Sequence, residues 1–195
     1  MALIQSTAIP SGATDYELEQ SLKFNDDDSA TLSWTPASAG NRTTWTFSCW
    51  VKRGNLGGPK TIFGANNNSQ IHFDGNDKMY LWVSGSSYYI PSSVFRDTSS
   101  WYNIILVWNT TATSADRIMF YVNGVRLTDF SSGSTPSANA TTEINNNVAH
   151  YCGDYGGDEF FDGYLAEVNF LDGVVGTPAD FGETGDYGEW KPIEY

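Results

Sequence analysis

The sequence has few cysteines, few charged residues and no long apolar stretch. Only two of its 195 residues are cysteine, and charged residues make up 17% of the chain. No apolar run approaches the roughly 20 residues that a transmembrane helix needs. Residues 1–20 contain no Lys or Arg and no apolar core, so we expect no secretory signal peptide there. We therefore expect a protein made in a cytoplasm without Sec export, and no membrane insertion.

Basic residues are also scarce, and the acidic residues are unevenly distributed. Lys and Arg number 10 against 23 Asp and Glu, which gives a formal net charge of −13. Residues 151–195 carry eleven acidic residues and one basic residue, Lys191. Such a surface repels phosphate backbones and anionic lipids, so we predict no nucleic-acid partner. The acidic segment is either a solvated face or a surface that attracts cations or a basic partner.

The two cysteines, Cys49 and Cys152, lie in stretches that alternate as strands do. In an unexported protein the default is a pair of buried free thiols, and a disulfide is the alternative. No local cluster of basic residues indicates an activated thiolate at either position.

Aromatic residues, at 15% of the chain, and short alternating runs are abundant. Runs at 21–24, 30–34, 44–53, 61–65, 70–74, 78–83, 101–109, 117–122, 149–153 and 160–171 predict strands. No long stretch has helical periodicity, so the pattern predicts one all-β domain, an antiparallel β-sandwich. The core candidates are Phe47, Cys49, Val51, Ile105, Val107, Ile118, Phe120, Val122, Leu165 and Val168.

Two short signals define local structure. Asn123-Gly124, between two apolar runs, predicts a two-residue hairpin turn, because a type I′ turn needs positive φ at both positions. Thr177 followed by Pro178 predicts a short helical turn with Thr177 as its N-cap.

Four blocks of sequence resemble the laminin-G-like, concanavalin A-like family in family order. They are SLKFNDDDSATLSW from Ser21, TWTFSCWVKRG from Thr44, WYNIILVWNTT with RIMFYVNGVRL from Trp101, and FFDGYLAEVNFLDG from Phe160. The resemblance implies a concanavalin A-like jelly roll over residues 21–175. It leaves residues 1–20 as an N-terminal arm and residues 176–195 as an acidic C-terminal tail.

The sequences of the first and last blocks, with the VFRDTSSWY junction, are similar to those of a subgroup found in tailed bacteriophages of aquatic bacteria. There such domains occur in tail fibres, capsid fibres and capsid decorations. The resemblance therefore implies a virion protein that contacts other virion subunits and copies of itself. A stand-alone soluble lectin is the alternative.

The family often holds Ca²⁺, although no cofactor is required by the sequence. Asn25, Asp26, Asp27 and Asp28 crowd hard oxygen ligands into one turn, and residues 154–159 form a second acidic loop. Neither has the spacing of an EF-hand, and solvated aspartates that cap their own turns are the alternative.

Jelly-roll lectins bind sugars with an aromatic platform and nearby amide or carboxylate groups. The candidates for binding a host-surface glycan are Trp82, Tyr88, Tyr89, Asn66, Asn67, Asp154 and Tyr155. The alternative is that these aromatic residues belong to the core or to contacts between subunits.

Catalytic motifs are missing. The E-x-D-x-x-E strand of the related glucanases does not occur, and Glu167 stands alone on its strand. His72 and His150 are isolated, and no G-x-S-x-G occurs. We therefore expect no enzyme, with a glycoside hydrolase as the least favoured reading.

The N-terminal arm has apolar residues but no core of its own. They are Leu3, Ile4, Ile9, Tyr16 and Leu18. An extended segment of this kind adds as a strand to a neighbouring subunit's sheet edge, so we expect an assembly arm; a disordered terminus is the alternative.

Overall fold

A computed structural model describes residues 16–195, and these contain sixteen strands, three short 3-10 helices and no α-helix. The strands are β1 (Leu22–Phe24), β2 (Leu32–Trp34), β3 (Thr44–Arg53), β4 (Lys60–Ala65), β5 (Ser69–Phe73), β6 (Met79–Val83), β7 (Ser86–Tyr88), β8 (Ile90–Pro91), β9 (Tyr102–Asn109), β10 (Ile118–Val122), β11 (Val125–Arg126), β12 (Phe130–Ser132), β13 (His150–Cys152), β14 (Gly163–Asp172), β15 (Gly182–Thr184) and β16 (Trp190–Pro192). The 3-10 helices span Asp26–Asp28, Ser114–Asp116 and Pro178–Asp180. No helix in the described range is long and apolar enough to cross a membrane.

Most strands belong to two six-stranded antiparallel sheets. The first sheet has the order β1-β14-β3-β9-β10-β11, and the second has the order β2-β13-β4-β5-β6-β7. Two further ladders pair β8 with β12 and β15 with β16. Successive strands such as β3 and β4, or β13 and β14, lie in different sheets, which is the crossing pattern of a jelly roll. The predicted all-β sandwich is confirmed.

Stacked aromatic rings join the two sheets. Phe47 of β3 stacks on Phe63 of β4 with ring centroids 4.8 Å apart, and Phe170 of β14 lies 5.9 Å from Phe63. Trp45 stacks on Trp108 within the first sheet at 6.2 Å. These rings are large apolar groups that are removed from water together, so they supply much of the hydrophobic driving force for packing the sheets.

Most of the predicted core lies between the sheets, but β9 is an exception. Phe47, Cys49, Val51, Ile118, Phe120 and Leu165 are buried there, and Val122 packs against them. Ile105 and Val107 are equally buried, yet they lie on the outer face of the first sheet, with Met119, Leu171 and Phe181. Ile104, Leu106 and Trp108 take the inward positions. Because β9 is apolar on both faces, its periodicity does not distinguish them.

The prediction that Val168 belongs to the core is wrong, since 42% of its surface is exposed. The β3–β14 pairing shifts register between Ala166 and Asn169, and Glu167 has a φ of 46°. Before this β-bulge the odd-numbered residue Leu165 faces the core, and after it the even-numbered residue Phe170 does. The bulge therefore reverses which residues of the strand point inward.

The C-terminal residues pack on the domain. Thr177 caps the 3-10 helix in a capping box with Asp180, which confirms the predicted turn. Phe181 closes the apolar cluster on the outer face of the first sheet, and Tyr195 stacks on Phe181 at 5.3 Å. Trp190 Nε1 donates a hydrogen bond to Asn103 Oδ1 at 3.1 Å. The tail is therefore part of the folded structure.

Both cysteines are free and buried, as predicted. Burial raises the pKa of the Cys152 thiol to about 12, with a smaller contribution from the Asp154 carboxylate. Burial also raises the pKa of the Cys49 thiol. Neither group is a reactive thiolate at neutral pH.

The predicted hairpin turn is confirmed and has a second role. Asn123 and Gly124 have φ values of 48° and 78°, and β10 pairs with β11 around them. A Cβ atom at Gly124 would lie 2.5 Å from the ring of Trp190. Gly124 therefore permits both the turn and the seating of the C-terminal segment.

We expect Gly124→Val to lower the free energy of unfolding by about 2 kcal/mol or more, because it strains the backbone and displaces Trp190. Gly188→Val isolates the strain, since Gly188 has a φ of 84° with no atom within 4 Å of its Cβ position. Gly58→Val lacks both problems and should change little. Urea unfolding measures all three, and equal stabilities for the three variants would contradict this account.

Candidate functional site

The outer face of the second sheet carries aromatic and polar side chains side by side. Alternation along β5 and β6 turns Ile71 and Leu81 into the core, and Gln70, His72, Tyr80 and Trp82 to the opposite face. The register places Gln70 opposite Trp82 and His72 opposite Tyr80. Four side chains from two strands therefore form one continuous patch.

The loop between β13 and β14, residues 153–162, crosses this face. The Thr61 amide donates to the Glu159 carbonyl at 2.8 Å, and the Gly153 amide donates to the Ile62 carbonyl at 3.0 Å. Gly64 permits the close approach, because a Cβ there would lie 3.1 Å from the Asp154 carbonyl oxygen. The loop is thereby fixed against β4.

The loop brings Tyr155 to Trp82. Their ring centroids are 5.8 Å apart with an interplanar angle of 87°, and both side chains are partly exposed. Burial raises the pKa of the Tyr155 hydroxyl to about 12, so this group is a neutral donor at neutral pH. Gly156 lies against the side chain of Asn67, whose φ is 48°. Trp82 and Tyr155 therefore form an aromatic corner, and the exposed amides of Asn66 and Asn67 in the β4–β5 turn lie at its edge.

A buried polar network lies beneath that corner. Glu159 Oε2 lies 3.1 Å from Thr61 Oγ1 and 3.3 Å from His72 Nδ1, and Thr61 Oγ1 lies 2.6 Å from Gln70 Oε1. The hydrogen bond from His72 is the main cause of a lowered pKa at Glu159. His72 Nε2 is buried without a hydrogen-bond partner among the described residues. This network holds the loop on the sheet.

Comparison with known families identifies the fold. The laminin G family model of the concanavalin A-like lectin/glucanases superfamily matches residues 24–178. The chain belongs to this superfamily. Comparison with curated proteins gives no match.

Solved structures of the superfamily fold are similar at low sequence identity. A Bacteroides ovatus protein described as carbohydrate-binding is 14% identical with a TM-score of 0.56, over 82% of this chain and 45% of that one. A heptameric SAP-like pentraxin from Limulus polyphemus is 15% identical with a TM-score of 0.52, over 80% of this chain and 73% of that one. The chain thus spans less than half of the first relative's length.

The predicted glycan residues of this superfamily member do not all lie together. Trp82, Tyr155 and Asn67 meet at the corner, and Asn66 is exposed on the same turn. Asp154 is only 2% exposed, because its carboxylate accepts hydrogen bonds from Thr31 Oγ1 and the Gly157 amide. It braces the loop and is not a surface group.

The two other tyrosines lie away from the corner. Tyr88 packs edge-on against the core residue Trp108 at 5.6 Å. Tyr89 stacks on Phe130 at 4.8 Å and its hydroxyl lies 2.9 Å from Thr135 Oγ1. Sequence reasoning missed Thr61, Gln70 and Tyr80, set His72 aside as isolated, and considered Glu159 only as part of an acidic loop. The polar residues opposite aromatic ones on β5 and β6 were the available signal.

The predicted calcium turn, residues 25–28, contains the 3-10 helix Asp26–Asp28, and Asn25 Nδ2 donates a hydrogen bond to Asp28 Oδ2 at 2.7 Å. Asp26 Oδ2 accepts from Lys60 Nζ at 2.6 Å and from Asn55 Nδ2 at 2.9 Å, and the Lys60 interaction is the main cause of a lowered pKa at Asp26. Among residues 16–195, no three His, Cys, Asp or Glu side chains converge as a metal site. The Asp26 carboxylate is thus neutralised by a lysine ammonium, and Ca²⁺ binding at this turn stays a prediction.

Only part of the predicted assembly arm can be placed. Leu3, Ile4 and Ile9 lie outside the described residues. Tyr16 donates its hydroxyl to Glu167 Oε1 at 2.7 Å, and Leu18 lines a groove beside it. The last residues of the arm therefore lie against their own domain.

We expect Glu159→Gln to lower the free energy of unfolding at pH 7 by about 1–2 kcal/mol, because it removes a charged acceptor from the network. The pKa of Glu159 is lowered from 4.5 on folding, so its carboxylate stabilises the fold above that pH. This stabilisation is lost as the pH falls below 4.5 through the lowered pKa. The difference in the free energy of unfolding between Glu159→Gln and the wild type should therefore disappear at acidic pH.

Urea unfolding at a series of pH values from 7 to 3 measures this gap. Glu19→Gln is the matched control, because Glu19 is exposed and should show no gap at any pH. A gap for Glu159→Gln that stays constant over the series would rule out the ionised network.

Proposed function

We propose that the protein is a non-catalytic, lectin-like module that binds a glycan at the aromatic corner of its second sheet. The observation that carries this proposal is the contact of Trp82 with Tyr155 beside the exposed amides of Asn66 and Asn67. Aromatic faces accept the apolar face of a sugar ring, and amides at their edge bond its hydroxyls. The superfamily fold and the carbohydrate-binding description of a structural neighbour support the same assignment.

The arrangement of carboxylates favours binding over hydrolysis. Glycosidases place two carboxyl groups on either side of the scissile bond. Here Glu159 is engaged by Thr61 and His72, Asp154 is buried, and Glu167 belongs to the first sheet near Tyr16. We therefore propose that no hydrolysis accompanies glycan binding.

We expect Trp82→Ala to weaken glycan binding about tenfold or more, because it removes the main stacking surface. A glycan array of bacterial surface polysaccharides selects the ligand, and calorimetry measures its affinity. Tyr187→Ala is the control, since Tyr187 is 96% exposed and lies on the C-terminal segment. Equal affinities for the two variants would place the glycan elsewhere on the protein.

We further propose that the module serves as a structural or adhesion protein of a bacteriophage virion, in a capsid decoration or a tail or fibre component. The support is the similarity of residues 21–54, 94–102, 161–173 and 177–183 to phage-associated members of the superfamily. Residues 1–20 would attach the module to other subunits or to further copies of itself. A free lectin is the alternative.

Mass spectrometry of purified particles tests the virion role. We expect the protein at a fixed copy number per particle, with imaging to locate it, and we expect loss of incorporation when residues 1–20 are deleted. The supernatant of lysed cells after removal of particles is the control fraction. Recovery in that fraction alone would support the free lectin.

A further inference from the structure

A groove lies on the outer face of the first sheet, on the side of the sandwich away from the aromatic corner. It has a volume of about 500 Å³, and its apolar lining includes Trp50, Trp101, Trp190 and Pro192. Residues 16–21 form one side, and the C-terminal strand β16 contributes to the other. Both segments fall outside residues 24–178, where the superfamily model matches. The groove therefore combines residues of the matched region, such as Trp50 and Trp101, with two segments outside it.

Specific contacts hold the groove open. On one side, Tyr16 is fixed by its hydrogen bond to Glu167 at the β14 bulge. On the other side, Trp190 is fixed by Asn103 and by its packing against Gly124 and Gly182. Trp50 is 7% exposed and Trp101 is partly exposed. The groove is thus preformed, and a ligand would not have to order its walls.

Carboxylates line part of this aromatic groove and much of a groove beside it. An adjoining groove of about 920 Å³ shares residues 16–20 and is lined by Glu17, Glu19, Glu167, Glu183 and Glu194. Among the described residues that line the two grooves, Lys191 is the basic one, and it pairs with Glu183 at 3.3 Å. Negative charge thus exceeds positive charge around an indole-rich surface.

We propose that this groove binds an extended, lysine- or arginine-bearing segment of a partner protein. Guanidinium and ammonium groups are attracted to indole faces, and their charges complement the glutamates at the rim. The segment 1–15 of this chain contains no Lys or Arg, so a neighbouring copy's N-terminus lacks the matching charge. The proposal is independent of glycan binding, because it concerns the other sheet.

The test measures fluorescence anisotropy of a labelled ten-residue peptide of alternating arginine and alanine, with the full-length protein. We expect Glu17→Gln combined with Glu194→Gln to weaken binding about fivefold, because two rim ion pairs are lost. Asp27→Asn combined with Asp129→Asn removes the same charge from exposed sites elsewhere and should leave affinity unchanged. Trp101→Ala should weaken binding as much as the double variant of Glu17 and Glu194 does, and it should leave the circular dichroism spectrum unchanged.

Three results would overturn the proposal. Equal losses for the two double variants would mean that the peptide responds to net charge and not to the groove. Tighter binding of an unlabelled peptide of residues 1–15, measured by competition, would make a copy of this chain the occupant. Failure of the arginine peptide to bind at low salt would also reject it.

Discussion

The first sheet is apolar on both faces, and the rest of the structure depends on burying both of them from solvent. Successive residues of β9 from Ile104 to Trp108 are all fully buried. The second sheet covers one face through the stacked aromatic rings. The other face needs a separate cover, which Phe181 and its neighbours supply. The C-terminal segment is therefore required by the sequence of β9, although the superfamily match ends at residue 178.

The strands were predictable wherever one face is apolar and the other polar, as in β3. The hairpin at Asn123-Gly124 was predictable because its turn demands positive φ. The outward burial of Ile105 was not predictable, because what covers that face lies some seventy residues further along the chain. The bulge that exposes Val168 was equally hidden, since Glu167 adopts its positive φ without a glycine to signal it.

The candidate site follows the same division. Trp82 and Tyr155 were identifiable as aromatic residues beside polar turns, and the structure brings them together. The network below them was not identifiable, because Thr61, His72 and Glu159 meet only through the β4–β5 register and the returning loop. Tyr88 and Tyr89 are alike in sequence context, and packing alone decides that both lie against the core, one on Trp108 and the other on Phe130.

The two outer faces of the sandwich are covered by different chemistry, and this difference separates their uses. A polar loop covers part of the second sheet, its partly buried Glu159 carboxylate is matched by donors such as His72, and its rim keeps hydroxyls and amides. The acidic C-terminal segment covers the first sheet through Phe181, and its edge leaves indoles partly exposed between glutamates. Because the sheets pack back to back, a ligand on one face does not obstruct the other. Under the two proposals, one outer face would hold a partner while the other presents a glycan-binding surface.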